Sequence, residues 1–261
     1  MSYNVIVIVR EVWDTRDLTG RVLDDGGQVK ADALATRFEP EDLNALEMAL
    51  RIKDEQGGTV TAISLGQPGD VDVLRECLYR GVDGVVRVDA DPRTLDTQAQ
   101  AGLLAEAIRK QEGYDLVLTG VTVTEGENSL VGSHVAALLG IEQISYVDSL
   151  VTIGDGRVVG KRAIEMGYED VEVPLPALMT VGVALVEDDP RTPRSAKAML
   201  KLKAKKVEIP LLTAADLGTT AATTTIAGHT AVPEVVIESK EVDPEDEAAL
   251  QTMLDEVLKG D

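Results

Sequence analysis

The sequence predicts a doubly wound α/β fold on a mostly parallel sheet, with an antiparallel extension and a C-terminal arm. Three observations carry this. Short apolar runs alternate with helical periodicity through the first two-thirds of the chain, strand and turn signals alone follow Ile144, and a Thr-, Ala- and Gly-rich stretch without apolar period follows Pro210. Continuous apolar runs mark strands covered on both faces, as a parallel sheet requires, and alternating strands and helices place ligands at the carboxyl ends of the strands. The chain divides on this reading into residues 1–210, an α/β domain, and residues 211–261, an extended arm ending in an amphipathic helix.

Val5 to Val9 is the first strand. Residues 11–39 form a long polar connection in which Gly20-Arg-Val-Leu-Asp-Asp-Gly-Gly27 reads as a small hairpin or turn. A connection of this length in a compact domain is usually functional or faces a partner. Leu43, Leu46, Met48, Leu50 and Ile52 give an amphipathic helix closed by Gly57 and Gly58. Thr59 to Leu65 is the second strand and ends in Gly66-Gln-Pro-Gly69. Val71 to Tyr79 is a helix stopped by Gly81, and Val85 to Val88 the third strand. Residues 95–112 make a long helix with Leu95, Leu103, Leu104 and Ile108 inward. Leu116 to Leu118 is the fourth strand, and Ser129 to Leu139 the helix after it.

Ser145 to Ile153, Arg157 to Ile164 and Ala177 to Val186 read as strands that extend the sheet antiparallel, with Gly154-Asp-Gly156 as a hairpin signal. Near the end, Leu250, Met253, Leu254, Val257 and Leu258 lie at helical spacing between Pro244 and Leu258. They make a short helix that needs something to pack on.

Composition narrows the function classes. The chain of 261 residues supports one substantial core, and no run approaches the roughly 20 apolar residues of a membrane span. Met-Ser-Tyr-Asn leads into the first strand without a basic region, so a secretory signal is not expected and the cytoplasm is the expected location. One cysteine (Cys77) and two histidines (His134 and His229) disfavour a metal-centred or histidine-based enzyme. Cys77 reads as an inert apolar-face residue and His134 as a hydrogen-bonded packing residue. Glu165 and Glu169, beside Tyr168, read as solvent-facing. The net charge of −21 argues against nucleic acid as a partner and for a solvated acidic surface. One stretch reverses sign: Lys197-Ala-Met-Leu-Lys-Leu-Lys-Ala-Lys-Lys206, preceded by Arg191 and Arg194.

The segment Gly120-Val-Thr-Val-Thr-Glu-Gly-Glu-Asn-Ser-Leu-Val-Gly132 carries the chemistry. A glycine-bounded turn leading into a helix N-terminus offers free N–H groups and partial positive charge, which suits a phosphate. Asn128 and Ser129 can donate as well, while Gly120, Gly132 and Gly66 allow close backbone approach. Taken alone, Glu127-Asn-Ser also reads as an ordinary helix cap and the glycines as turn residues.

Seven pieces in order carry a family resemblance: Val9-Arg-Glu-Val-Trp-Asp-Thr15, Glu39-Pro-Glu-Asp42, the loop at 120–132, Leu175-Pro-Ala-Leu-Met-Thr180, Asp189-Pro-Arg191, Lys203-Ala-Lys-Lys-Val-Glu208 and Thr213-Ala-Ala-Asp-Leu-Gly218. Together they resemble the beta subunit of electron-transfer flavoproteins, from about residue 3 to about residue 218. The resemblance implies a Rossmann-like nucleotide-binding domain in a heterodimer. The alpha subunit of such a heterodimer carries the redox-active FAD. Most beta subunits of this family hold AMP, and electron-bifurcating ones a second FAD. The arm and terminal helix are then expected to pack on the alpha subunit, and Trp13 either faces that interface or plugs the core.

The implied nucleotide site comprises Val9, Glu39, Gly66, Gly120, Gly126, Asn128, Ser129, Val131 and Gly132. AMP-type members carry Asp-x-Asn-Gln-Thr-Gly in the loop, and FAD-type members Asp-Gly-Asp-Thr-Ala-Gln-Val-Gly. This chain has Glu125-Gly-Glu-Asn-Ser-Leu-Val-Gly132, in which Gly126, Val131 and Gly132 follow the second pattern; Asn128, Leu130 and Glu39 depart from the family. AMP is the first expectation and FAD the alternative.

The basic segment implies docking of redox partners. The resemblance places Ala196 where the family has its anchoring leucine, so the anchor is weaker or displaced to Met199 or Leu200, and Lys197, Lys201 and Lys205 share one helical face. The implied function is a carrier without catalytic residues of its own, moving electrons from acyl-CoA-type dehydrogenases to a quinone-linked oxidoreductase, without membrane insertion. A stand-alone nucleotide-binding module is the competing reading, against which the arm speaks. An adenylate-forming enzyme is disfavoured because no Ser-Gly-Gly-x-(Asp or Ser) loop follows the first strand.

Overall fold

A computed structural model describes residues 2–16, 20, 22–27, 29–30, 33–67, 71–124, 129–182, 206–218, 222–224 and 241–259. The first strand, β1 (Tyr3–Ile8), leads into a hairpin of β2 (Glu11–Trp13) and β3 (Thr36–Phe38), and α1 (Pro40–Gln56) follows. β4 (Gly58–Gly66), α2 (Asp72–Arg80), β5 (Gly84–Asp89), α3 (Thr97–Arg109), β6 (Leu116–Gly120) and α4 (Val131–Leu139) then alternate. The expected turn within residues 20–27 is bracketed by a single antiparallel bridge between Leu23 and Val29. Helix α2 stops where Gly81 turns left-handed with φ 118°, a conformation that costs a residue without Cβ nothing.

The remaining strands are β7 (Glu142–Gly154), β8 (Arg157–Ile164), β9 (Gly167–Pro174), β10 (Ala177–Val181) and β11 (Leu211–Leu212). Across the large sheet the order is β11-β5-β4-β1-β6-β10-β7-β8-β9. All neighbours from β11 to β7 are parallel, and the last two pairs are antiparallel. Alternation along β1 explains its unbroken apolar run. Val5 and Val7 join one core with α1 and α2, whereas Ile6 and Ile8 join a second with α3 and α4.

Two of the sequence readings need correction. Ala177–Val181 does not extend the sheet antiparallel; β10 inserts parallel between β6 and β7. Its five residues are all buried, which is what a strand covered on both faces demands. Residues 183–186 of the expected strand lie outside the described residues. Strand β9 escaped the reading because its alternation is masked by Glu169, Asp170 and Glu172 on an exposed strand, with only Val173 buried. Glu169 faces Arg162 at 3.2 Å across the pair.

The chain past Pro210 adds β11 beside β5 and a short helix, α5 (Ala214–Leu217), whose Leu217 is buried in the second core. Thr213 and Asp216 cap that helix reciprocally. A further anchor follows. The N–H and hydroxyl groups of Thr223 and Thr224 all donate to Asp96 Oδ2, at 2.6 to 3.2 Å, while Asp96 Oδ1 accepts the Ala99 N–H at 2.8 Å and caps α3. The Ala99 N–H and the two threonines together hold the Asp96 carboxyl well below the ordinary carboxylate range. The terminal helix, α6 (Glu247–Lys259), exposes Leu254, Val257 and Leu258. Among the described residues no helix is long and apolar enough to cross a membrane.

Candidate functional site

From β1 the chain winds through α1 to β4 and on to β5 on one side. It then crosses back to place β6 on the other side of β1. Outside the carboxyl ends of β1 and β4, beside that reversal, lies a small, mostly apolar crevice lined by Ile8, Val9, Leu65, Leu104 and Val131, with Arg10 and Glu11 at the same crevice. Sheets of this kind bind ligands at the point of reversal.

The loop leaving β6 is held by carboxylates from the start of α1. Asp42 Oδ1 accepts the Gly120 N–H at 2.7 Å, Glu41 Oε2 the Thr122 N–H at 2.5 Å, and Glu39 Oε2 the Thr124 N–H at 2.8 Å. Every second N–H of an extended segment points the same way, so one helix start clasps three of them. Arg10, following β1, closes the network. Its Nε and Nη2 donate to Asp42 Oδ2 and Oδ1 at 2.8 and 2.7 Å, and Nη2 also donates to the Thr122 carbonyl at 2.9 Å. Asp42 is fully buried. Burial alone lowers the Arg10 pKa, but Asp42, with Glu39 and Glu41 nearby, more than offsets this and raises it above its ordinary value. Among the described residues, Glu39, Glu41 and Asp42 are thus spent on backbone N–H groups and one arginine, while Glu11 lines the crevice.

Two glycines of the loop have steric reasons. A Cβ on Gly120 would stand 2.8 Å from Asp42 Oδ1 and from Glu41 Cβ, so the clasp itself excludes a side chain there. A Cβ on Gly132 would stand 2.7 Å from Thr119 Cγ2 and 3.1 Å from Thr180 Cγ2, so this glycine seats α4 directly on β6 and β10. That seating aims the N-terminus of α4 along the carboxyl edge of the sheet, and among the described residues no side chain caps it.

The structure brings most of the expected residues together. Val9 is buried, with its N–H donating to the Ile63 carbonyl at 2.9 Å, and it lines the crevice with Val131. Gly66 ends β4, and its carbonyl accepts from the buried Arg87 at 3.0 Å. Ser129 is half-buried just ahead of α4. Glu39 is buried and serves the loop backbone. Gly126 and Asn128 lie outside the described residues, as do Ala196, Lys197, Met199, Leu200, Lys201 and Lys205.

Sequence reasoning missed Arg10, Glu41 and Asp42 as individual residues, although they stand inside quoted motifs. An acid at the first turn of a helix reads as a dipole partner, and nothing local says that it reaches residues 78 positions on. Trp13 is half-buried under the Arg93 guanidinium, 4.4 Å from its ring centroid, tying the β2–β3 hairpin to the loop after β5. His134 is exposed on the outer face of α4, not packed. Cys77 is fully buried, which pushes its thiol well above the usual range. Among the described residues no group of His, Cys, Asp and Glu could hold a metal ion.

Comparison with known proteins bears on this arrangement. A family model described as electron transfer flavoprotein domain matches residues 27–217. The electron transfer flavoprotein subunit beta of Thermoanaerobacterium thermosaccharolyticum is 36% identical over 215 residues, covering 82% of this chain and 80% of that one. The caffeyl-CoA reductase-Etf complex subunit CarD of Acetobacterium woodii is 35% identical over 189 residues, 72% and 70% of the two chains. An acryloyl-CoA reductase electron transfer subunit gamma from Anaerotignum propionicum is 33% identical over 180 residues, 67% and 66% of the two chains.

Proposed function

The chain belongs to the electron transfer flavoprotein family, and from that premise we propose that it is the beta subunit of a heterodimer that binds an adenine nucleotide and passes electrons from acyl-CoA-type dehydrogenases to a quinone-linked acceptor. The observation that carries the nucleotide reading is the clasped loop. Three carboxylates and Arg10 fix residues 120–124, and Gly132 seats a helix start, uncapped among the described residues, beside a mostly apolar crevice. The apolar lining of the crevice suits a base face, and the helix start suits a phosphate. A bound flavin, here or in the partner, supplies the electron-carrying chemistry. The residues of this chain would bind and orient the nucleotide, with Glu39, Glu41 and Asp42 spent on the backbone of the loop.

Two relatives are named as electron-transfer components of CoA reductases, which supports an acyl-CoA-type partner enzyme. AMP in this site makes the protein a simple carrier whose only flavin is in the partner. FAD in this site, favoured by Gly126, Val131 and Gly132, lets it divide an electron pair between two acceptors. The arm clipped at Asp96 and the exposed apolar face of α6 support an alpha subunit as the covering partner. Expressing the chain with the alpha subunit of the neighbouring gene tests this: a one-to-one yellow complex is expected. A stable colourless monomer that ignores the alpha chain is the result that would reject it.

The basic stretch around Lys197, Lys201 and Lys205, with Met199 or Leu200 in place of the missing leucine at Ala196, serves on this reading to steer and anchor redox partners. Reversing two of the lysines to Glu is expected to slow electron transfer roughly tenfold at low salt, with the gap closing as ionic strength rises. Equal rates for both proteins at every salt concentration would refute the docking role.

A further inference from the structure

Tyr146 combines three unusual properties. It lies inside β7, yet its φ is 59°, a left-handed conformation that side chains other than glycine, asparagine and aspartate rarely adopt. It sits at a bulge against β10 that lets Ile144 and Val147, three residues apart, both face the first core. And the residue is 53% exposed. Bulges and strained backbone concentrate where a side chain is re-aimed for function.

The backbone is held there by the site itself. The Tyr146 N–H donates to Thr180 Oγ1 at 3.0 Å, and the methyl of the same threonine meets Gly132, on which α4 is seated. Tyr146 therefore stands beside the first turn of α4, on the side away from the crevice. Across the sheet the crevice lies over β4 and β1, the start of α4 over β6 and β10, and Tyr146 on β7. A base in the crevice with its phosphate on α4 sends any further group over β10 towards β7. With strands about 4.8 Å apart, a phosphate at the start of α4 lies one to two strand spacings, about 5–10 Å, from β7, and a group attached beyond that phosphate reaches it.

We infer that Tyr146 is a specificity residue of the nucleotide site, contacting the part of a dinucleotide that extends beyond the phosphate at α4. The inference rests on the adenine-nucleotide reading above and sharpens it to FAD. The aromatic ring offers a stacking face and a hydroxyl, and the strain keeps both pointed out of the core.

The test uses the full chain in complex with its alpha subunit, comparing wild type with Tyr146→Phe, Tyr146→Gly and Tyr146→Asn. Nucleotides released on denaturation are quantified and melting temperatures recorded. Wild type is expected to release FAD beyond the one molecule owed to the partner, and Tyr146→Phe to retain it. Tyr146→Gly and Tyr146→Asn are expected to lose it by roughly tenfold weaker retention, with AMP in its place. Both replacements accept the left-handed backbone, so the melting temperatures of the nucleotide-stripped complexes stay level or rise, whereas a merely structural tyrosine would lower them. FAD retained in the Gly and Asn variants, or wild type carrying AMP alone, overturns the inference. A wild type with neither nucleotide in this chain overturns the underlying reading instead.

Discussion

Replacing Asp42 by Ala is expected to destabilise the protein by about 3–5 kcal/mol, the range for removing one partner of a buried ion pair, and to empty the nucleotide site. The carboxylate is fully buried and serves two groups at once, the Arg10 guanidinium and the Gly120 N–H. Truncation strips the part-buried Arg10 guanidinium of its paired carboxylate, leaving only Glu39 and Glu41 nearby, and leaves the buried Gly120 N–H without an acceptor, which is costly. Chemical denaturation gives the first number and nucleotide released on unfolding the second. The double variant Arg10→Met, Asp42→Leu separates the two effects. It removes the uncompensated charge and should recover much of the stability, but it cannot hold Gly120 and should stay empty. A loss below about 1 kcal/mol in Asp42→Ala, as for an exposed ion pair, would contradict this account of the clasp.

Gly132→Ala comes second in expected effect. The added methyl stands 2.7 Å from Thr119 Cγ2 and 3.1 Å from Thr180 Cγ2, so α4 must lift from the sheet. Overpacking of this kind costs about 1–3 kcal/mol, and the lift displaces the helix start on which the phosphate rests. Gly154→Ala provides the control. Its Cβ meets nothing within 4 Å, so stability should stay within about 0.5 kcal/mol. If the two variants melt together and hold nucleotide equally, the seating of α4 does not depend on Gly132.

Much of this fold was legible in the sequence because local and global signals agree. Gly57 and Gly81 end helices where the apolar period ends, and unbroken apolar strands sit where the sheet is covered on both sides. The parallel placement of β10 was legible in principle, since an all-apolar run of five suits the interior of the sheet better than its solvated extension. β9 was not, because charged residues on both sides of an exposed strand leave no period to read. The site shows the same divide. Gly120, Gly132 and Val9 could be singled out from turn chemistry and resemblance, but the reason for the glycines is steric and lies in other elements. The Arg10–Asp42 pair joins residues 32 apart through tertiary contact alone, and no propensity announces it. Tyr146 is hidden most deeply, because an aromatic in a strand looks ordinary until its φ is known.

The central claim is that this chain, as a beta subunit, owns an adenine-nucleotide site built on the clasped loop. The most direct measurement is to denature the purified complex with its alpha subunit and quantify every nucleotide released per heterodimer. The account predicts one FAD from the partner and one further adenine nucleotide from this chain, absent when Asp42 is replaced by Ala. A single FAD with no second nucleotide would contradict it and reduce the loop at 120–132 to a well-held turn before a helix.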